Sequence, residues 1–205
     1  MRFAPLKNLL NALYPRRQHS DATHEISAVY VDVRNFTRFS ENLDSSDVML
    51  FLREYYAAVG KVAATYGGTI KDYAGDGILI LVGAPQPLAD HADRAVKMAI
   101  AIRAAGVSVT ARWERYGVAL GIGIGVASGV VTLGMVGGPA RREYAAVGPA
   151  VNLAARLCSK AGKSEILLDE HTQVQALAQR CTVPLRRAAE LSLKGISAPV
   201  MSFAA

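Results

Sequence analysis

The run Gly121-Ile122-Gly123-Ile124-Gly125-Val126 constrains this chain more than any other stretch. Side chains of a strand alternate between its two faces, so the three glycines share one face and Ile122, Ile124 and Val126 share the other. A strand interior that presents no side chains on one face lies under something that approaches closely. The spacing reads as the inside of a strand over 118–127, not as a strand-to-helix turn, so it is no dinucleotide-binding fingerprint.

The remaining segments alternate in type. Strand patterns occupy 26–33, 69–74, 77–82, 143–147, 165–168, 182–187 and 199–203. Helical patterns occupy about 45–66, 90–105 and 149–161. The first carries an apolar stripe of Val48, Leu52, Tyr55, Tyr56 and Val59, with Ser45 or Ser46 as cap and Gly67-Gly68 as stop. A glycine-rich turn region (Gly134, Gly137, Gly138) separates the long strand from 143–147. One hairpin closes around Gly75-Asp76-Gly77. The mixture predicts an α+β fold: a mostly antiparallel sheet with helices on one face. Half of the 205 residues are hydrophobic, enough for a substantial core. Residues 1–24 stand apart as an amphipathic arm, with Leu6, Leu9, Leu10 and Leu13 at helical spacing; the arm packs on its own domain or a partner, or makes weak contact with a membrane surface. Residues 25–205 read as one domain.

Composition narrows the function. No apolar run spans a bilayer, and no signal-peptide core opens the chain. Cys158 and Cys181 lack metal-ligand spacing and read as reduced thiols of a cytoplasmic protein. The four histidines are scattered. The net charge of +6 suits polyanions such as a triphosphate, and no nucleic-acid-binding signature accompanies it.

Two aspartates carry the chemistry. Asp32 ends the apolar run Ala28-Val29-Tyr30-Val31, and Asp76 sits at the hairpin tip. Asp is common in tight turns, so either alone could be structural. Together they can converge on one site, and paired carboxylates suit hard divalent cations that also hold triphosphates. Asn152 and Arg156, four apart, share one face of an otherwise apolar helix.

Three motifs in order, D-x-x-x-F-T from Asp32, G-G-x-x-x-x-x-x-G-D-G from Gly67 and G-x-x-V-N-x-A-x-R from Gly148, resemble the catalytic domain of class III nucleotidyl cyclases over 26–203. The resemblance implies a βααβ-type ferredoxin-like core and a head-to-tail homodimer with shared active sites. It implies closure of a nucleoside triphosphate to a 3′,5′-cyclic monophosphate with release of pyrophosphate. Asp32, Val33 and Asp76 would hold two divalent cations, Mg²⁺ or Mn²⁺. Phe36 and Thr37 would offer backbone N–H groups to the phosphates, and Lys194 would bind the terminal ones. From the other chain, Asn152 would orient the ribose and Arg156 would stabilise charge at the α-phosphate.

Base-reading positions depart from the family pattern. Adenylate cyclases place a lysine four residues before the second metal aspartate and a polar residue after the tyrosine of the next short strand; here those positions hold Asp72 and Ala145. Ionised aspartate only accepts hydrogen bonds, which suits guanine, uracil and cytosine donors better than adenine N1. Lys71 could serve only if a bulge shifts the strand register. With the compact build, a short arm and no sensor module, this favours a pyrimidine triphosphate (UTP or CTP, as in bacterial antiphage signalling) over GTP or ATP. The alternatives are an inactive cyclase fold that binds nucleotide, a diguanylate cyclase, whose G-G-D-E-F hairpin tip is missing, and a basic surface module.

Overall fold

β1 (Ala22–Arg34) is the strand around which the sheet is laid, antiparallel to β3 (Gly77–Val82) on one side and β4 (Gly121–Gly138) on the other. In the computed structural model, which describes residues 21–138 and 140–205, eight strands form one sheet in the order β2-β3-β1-β4-β6-β8-β7, with β5 paired to β4. The other strands are β2 (Gly68–Ala74), β5 (Arg141–Val147), β6 (Glu165–Asp169), β7 (Arg186–Leu191) and β8 (Val200–Ala204). Among the described residues only β4 and β6 pair in parallel. The helices are α1 (Phe36–Glu41), α2 (Ser45–Thr65), α3 (His91–Trp113), α4 (Pro149–Lys160) and α5 (Glu170–Ala178). The order β2-β3-β1-β4 is the expected ferredoxin-like core. Residues 1–20 of the expected arm lie outside the described residues, and residues 22–24 belong to β1.

The sheet is covered on both faces, which revises the expectation of helices on one. On the first face, Phe51, Tyr55 and Val59 of α2 and Met98, Ala99 and Ile102 of α3 pack against Val29, Val31, Ile80, Ile122 and Ile124. Trp113 belongs to this core: its ring meets Phe39 and Phe51 edge-on, and its Nε1 donates to Glu54 Oε2 at 3.1 Å. On the second face, Ala150, Ala154 and Leu157 of α4 pack against Ala28, Leu81 and Ala127. On this face the β4 glycines supply contact by removing bulk, beside Ala127, Val131 and Leu133. A Cβ on Gly125 would overlap the Ala154 carbonyl oxygen and the Cys158 amide nitrogen of α4. The helix backbone rests directly on the strand backbone.

Several local outcomes differ from the pattern reading. β4 runs on through Gly138 and pairs with β5 from Thr132↔Val147 to Gly138↔Arg141, so the expected glycine-rich turn is strand. α3 extends two turns beyond the expected end. α1 and α5 carried no recognised pattern. Asp44 rather than a serine holds the N-cap position of α2, without a side-chain hydrogen bond, while the stop is as expected, with Gly67 at φ 73. β7 begins at Arg186, later than the pattern placed it. A buried polar chain, His91 Nδ1 to Ser27 Oγ (2.8 Å), Ser27 Oγ to Ser128 Oγ (2.7 Å) and Thr172 Oγ1 to Ser128 Oγ (3.0 Å), ties α3 and α5 to the sheet.

The direct seating of α4 on β4 makes Gly125 intolerant of any side chain. Gly125→Ala is expected to lower unfolding free energy by about 2–4 kcal/mol, since overpacking here pushes on backbone and not on a flexible chain end. Gly129→Ala, on the same face but in ordinary contact with Ala150 Cβ at 3.4 Å, should change it by less than about 1 kcal/mol. Urea unfolding of both variants checks this.

Candidate active site

Val31 and Val33 of β1 point into the α2–α3 core, so Asp32 and Arg34 point to the α4 face. There Asp32 sits beside Asp76, carried in by the Gly75-Asp76-Gly77 hairpin. Gly75 adopts a left-handed φ of 63°, and its carbonyl accepts the Tyr56 hydroxyl, which fixes the turn to α2. Asp76 Oδ2 accepts the Val33 backbone N–H at 3.1 Å. Burial, then the Asp32 charge and a hydrogen bond between the two carboxyls, push Asp76 from the usual 3.8 to about 6. The two sequence-predicted acids are therefore brought together, with Val33 between them.

An all-oxygen pair of crowded carboxylates is a donor set for hard divalent cations. Among the described residues no cluster of three or more His, Cys, Asp or Glu side chains could hold a metal; Asp32 and Asp76 fit a cation that also takes oxygens from a bound phosphate. Phe36 and Thr37 open α1 directly beyond the acids. Asn35 precedes them with φ 66, a left-handed geometry that asparagine tolerates, and its Nδ2 donates to Ala119 O at 2.9 Å.

Asn152 and Arg156 are exposed on α4, while Ala150, Ala154, Leu157 and Cys158 face the sheet. Within one chain they point away from Asp32 and Asp76. Lys194 is exposed in the turn between β7 and β8, whose Leu193 is buried in the α4 cluster, so Lys194 stands on the α4 side. The structure thus brings Asp32 and Asp76 together and leaves Asn152, Arg156 and Lys194 exposed.

The base-reading residues differ most from expectation. β2 carries a register shift between Ile70 and Asp72: Ile70 pairs with Ile80 and Asp72 with Leu79, leaving Lys71 as the extra residue of a bulge. This is the condition under which Lys71 can share a side with Asp72. Both line a cavity of about 390 Å³ with Thr69, Ile70, Leu81, Glu143 and Tyr144. Ala145 does not line it; its neighbours Glu143 and Tyr144 on β5 do.

Sequence reasoning missed Arg34. It lies inside the first motif, two residues from Asp32 on the same strand face, and this spacing was the available signal. Its Nη1 bonds Asp32 Oδ2, Nη2 bonds Cys158 O, and Nε donates to Ala161 O at 2.9 Å.

With this geometry described, comparison with known proteins is decisive. Residues 18–204 match the Adenylate and Guanylate cyclase catalytic domain. The chain belongs to this cyclase family. Among curated proteins it is 30% identical over 134 residues to Adenylate cyclase 1 of Rhizobium meliloti, covering 65% of this chain and 20% of that protein. It is 33% identical over 146 residues to an uncharacterized protein of Mycobacterium tuberculosis, covering 71% of this chain and 26% of that one. The chain thus spans about a quarter or less of these relatives. Among solved structures, the adenylyl cyclase CyaB from P. aeruginosa superposes with TM-score 0.83 and 30% identity, covering 90% of this chain and 95% of that one. The guanylyl cyclase Cya2 superposes with TM-score 0.81 and 30% identity, over 90% and 92%. Class III cyclases generally use divalent metal ions. No helix among the described residues is long and apolar enough to cross a membrane.

The raised Asp76 value fixes a pH dependence. Its folded value lies above its unfolded one, so ionising it costs the metal-free fold stability as pH rises from about 4 to about 6. Cation binding requires the ionised form and is lost as pH falls through that window. Mg²⁺ or Mn²⁺ should raise the melting temperature by several degrees at about pH 7.5 and not at about pH 5. Asp76→Asn should abolish the increment at both. Thermal melts with and without the cation check this.

Proposed function

We propose that two copies of this chain pair head to tail and that each paired site closes a nucleoside triphosphate to its 3′,5′-cyclic monophosphate, releasing pyrophosphate. The observation that carries the reading is the separation of the two half-sites: Asp32 and Asp76 converge, while Asn152 and Arg156 stand on the outward face of α4, where only another molecule can complete them. Asp32 and Asp76 hold two divalent cations, with the Val33 backbone beside them. When bound, these cations lower the pKa of the ribose 3′-hydroxyl and neutralise phosphate charge. The first N–H groups of α1, at Phe36 and Thr37, lack intrahelical partners and suit phosphate oxygens. From the partner copy, Asn152 orients the ribose, Arg156 meets charge growing on the α-phosphate with a planar fork, and Lys194 binds the terminal phosphates.

Lys71 and Asp72 read the base. The β2 bulge supports pairing them as one donor and one acceptor, with Lys71 donating to adenine N1 and Asp72 accepting from the adenine amine, and it removes the ground for rejecting ATP. A second reading, a pyrimidine or guanine substrate, is favoured by Glu143, a further acceptor in the same cavity suited to a ring N–H. Antiphage signalling by a cyclic pyrimidine belongs to that reading.

Two measurements test these statements. Asp76→Ala and Asn152→Ala should each lower turnover at least about 100-fold, since each removes a group acting at the reacting centre. Mixing the two inactive variants should restore activity to roughly a quarter of the unmutated level, because random pairing makes half the dimers mixed and each mixed dimer holds one intact site. No recovery on mixing, with the unmutated protein active, would overturn the two-chain site. Lys71→Ala should lower kcat/KM for ATP about 10- to 100-fold, the loss of one charged hydrogen bond. An unchanged value for ATP, with a cyclic pyrimidine or cyclic GMP as main product, would favour the second reading.

A further inference from the structure

The Arg34 guanidinium is held on every side. Its floor is Gly123, where a Cβ would overlap Nη2 and Nε. Its walls are the last turn of α4, through Cys158 O, Ala161 O and the Cys158 sulfur at 3.4 Å. Its fourth side is the metal carboxylate Asp32. The guanidinium therefore binds the negative end of the α4 dipole and one carboxylate with the same rigid plane. The side chains of Arg34 and Asp32 are only 19% and 30% exposed, so the plane has little room to turn. Cys158 adds to the lock, its Sγ reaching Gly123 O at 3.2 Å.

We propose that Arg34 is a positioning residue that ties Asp32 to α4 and so couples the two active sites of the dimer. The proposal rests on the two-chain reading above. Head-to-tail pairing assigns Asp32 of one chain to one site and Asn152 and Arg156 of the same chain to the other. Arg34 spans that division. A cation that draws on Asp32 changes what Nη1 bonds, and a planar fork cannot shift one arm without shifting the two that hold Cys158 O and Ala161 O. The helix carrying Asn152 and Arg156 then moves with the occupancy of the opposite site. Lysine keeps the charge and loses the fork, so Arg34→Lys isolates the geometry.

The mixed dimer of Asp76→Ala and Asn152→Ala chains tests the coupling, because its one intact site takes its acids from the Asn152→Ala chain and its asparagine and arginine from the other. Arg34→Lys in the Asn152→Ala chain probes the Asp32 end. Arg34→Lys in the Asp76→Ala chain probes the α4 end, where Asp32 serves no working site. Both placements should lower kcat at least about tenfold. Loss from one placement only, or from neither, would overturn the proposal. Absence of activity in the parent mixture, with the unmutated dimer active, would instead overturn the two-chain reading. A second readout needs no turnover. Amide exchange over residues 157–163, followed by mass spectrometry in the unmutated protein, should change at least about twofold on adding Mg²⁺ alone. Arg34→Lys and Arg34→Gln should abolish the change while melting as folded proteins. A Mg²⁺ effect that persists in both variants, or is missing from the unmutated protein, would overturn the coupling.

Discussion

With no side chain at Gly125, the backbone of α4 rests on the backbone of β4, and Arg34, Asn152 and Arg156 inherit their positions from that contact. A helix seated so low lets Cys158 and Ala161 present their carbonyls to a side chain from the next strand. It leaves Asn152 and Arg156 on the far side of the helix. It also leaves a shallow acidic site at the end of β1, walled by the last turn of α4. Had Gly123 or Gly125 carried a side chain, the helix would stand off, the slot for the Arg34 guanidinium would be filled, and Asp32 would lose its partner.

The acidic half-site is an electrostatic compromise. Asp76 is pushed up by burial and by Asp32, while the Val33 amide and the Arg34 guanidinium supply the compensating positive charge. Two carboxylates arranged this way can exchange a proton for a cation as pH rises through about 6. Asn152 and Arg156 have the opposite character: they are exposed, on a helix whose buried face is Ala150, Ala154, Leu157 and Cys158.

The sequence was most legible where a motif and a periodicity agreed. The acid pair was visible because the hairpin turn and the strand end each announced themselves, and α4 was visible from its apolar positions. The strand glycines correctly signalled a close approach, but not which element approaches. The alternation of strand and helix patterns does not say which side each helix takes, so all helices were expected on one face. Gly134, Gly137 and Gly138 were misread as a turn because local composition cannot reveal the long-range pairing with β5 that makes them strand. α1 is six residues long, too short for periodicity. α5 did carry a signal that went unread: Asp169 accepts the Thr172 N–H as an N-cap. The bulge at Lys71 and the reach of Arg34 across to α4 are tertiary facts, and no spacing rule yields either.

Product formation tests the central claim most directly. The purified chain would be incubated with ATP, GTP, CTP and UTP separately in the presence of Mn²⁺, and the products read by mass. The account predicts a 3′,5′-cyclic nucleotide and an equal amount of pyrophosphate from at least one of them, dependent on Asp76. Intact triphosphate after every incubation, from folded protein that binds the cation, would contradict it.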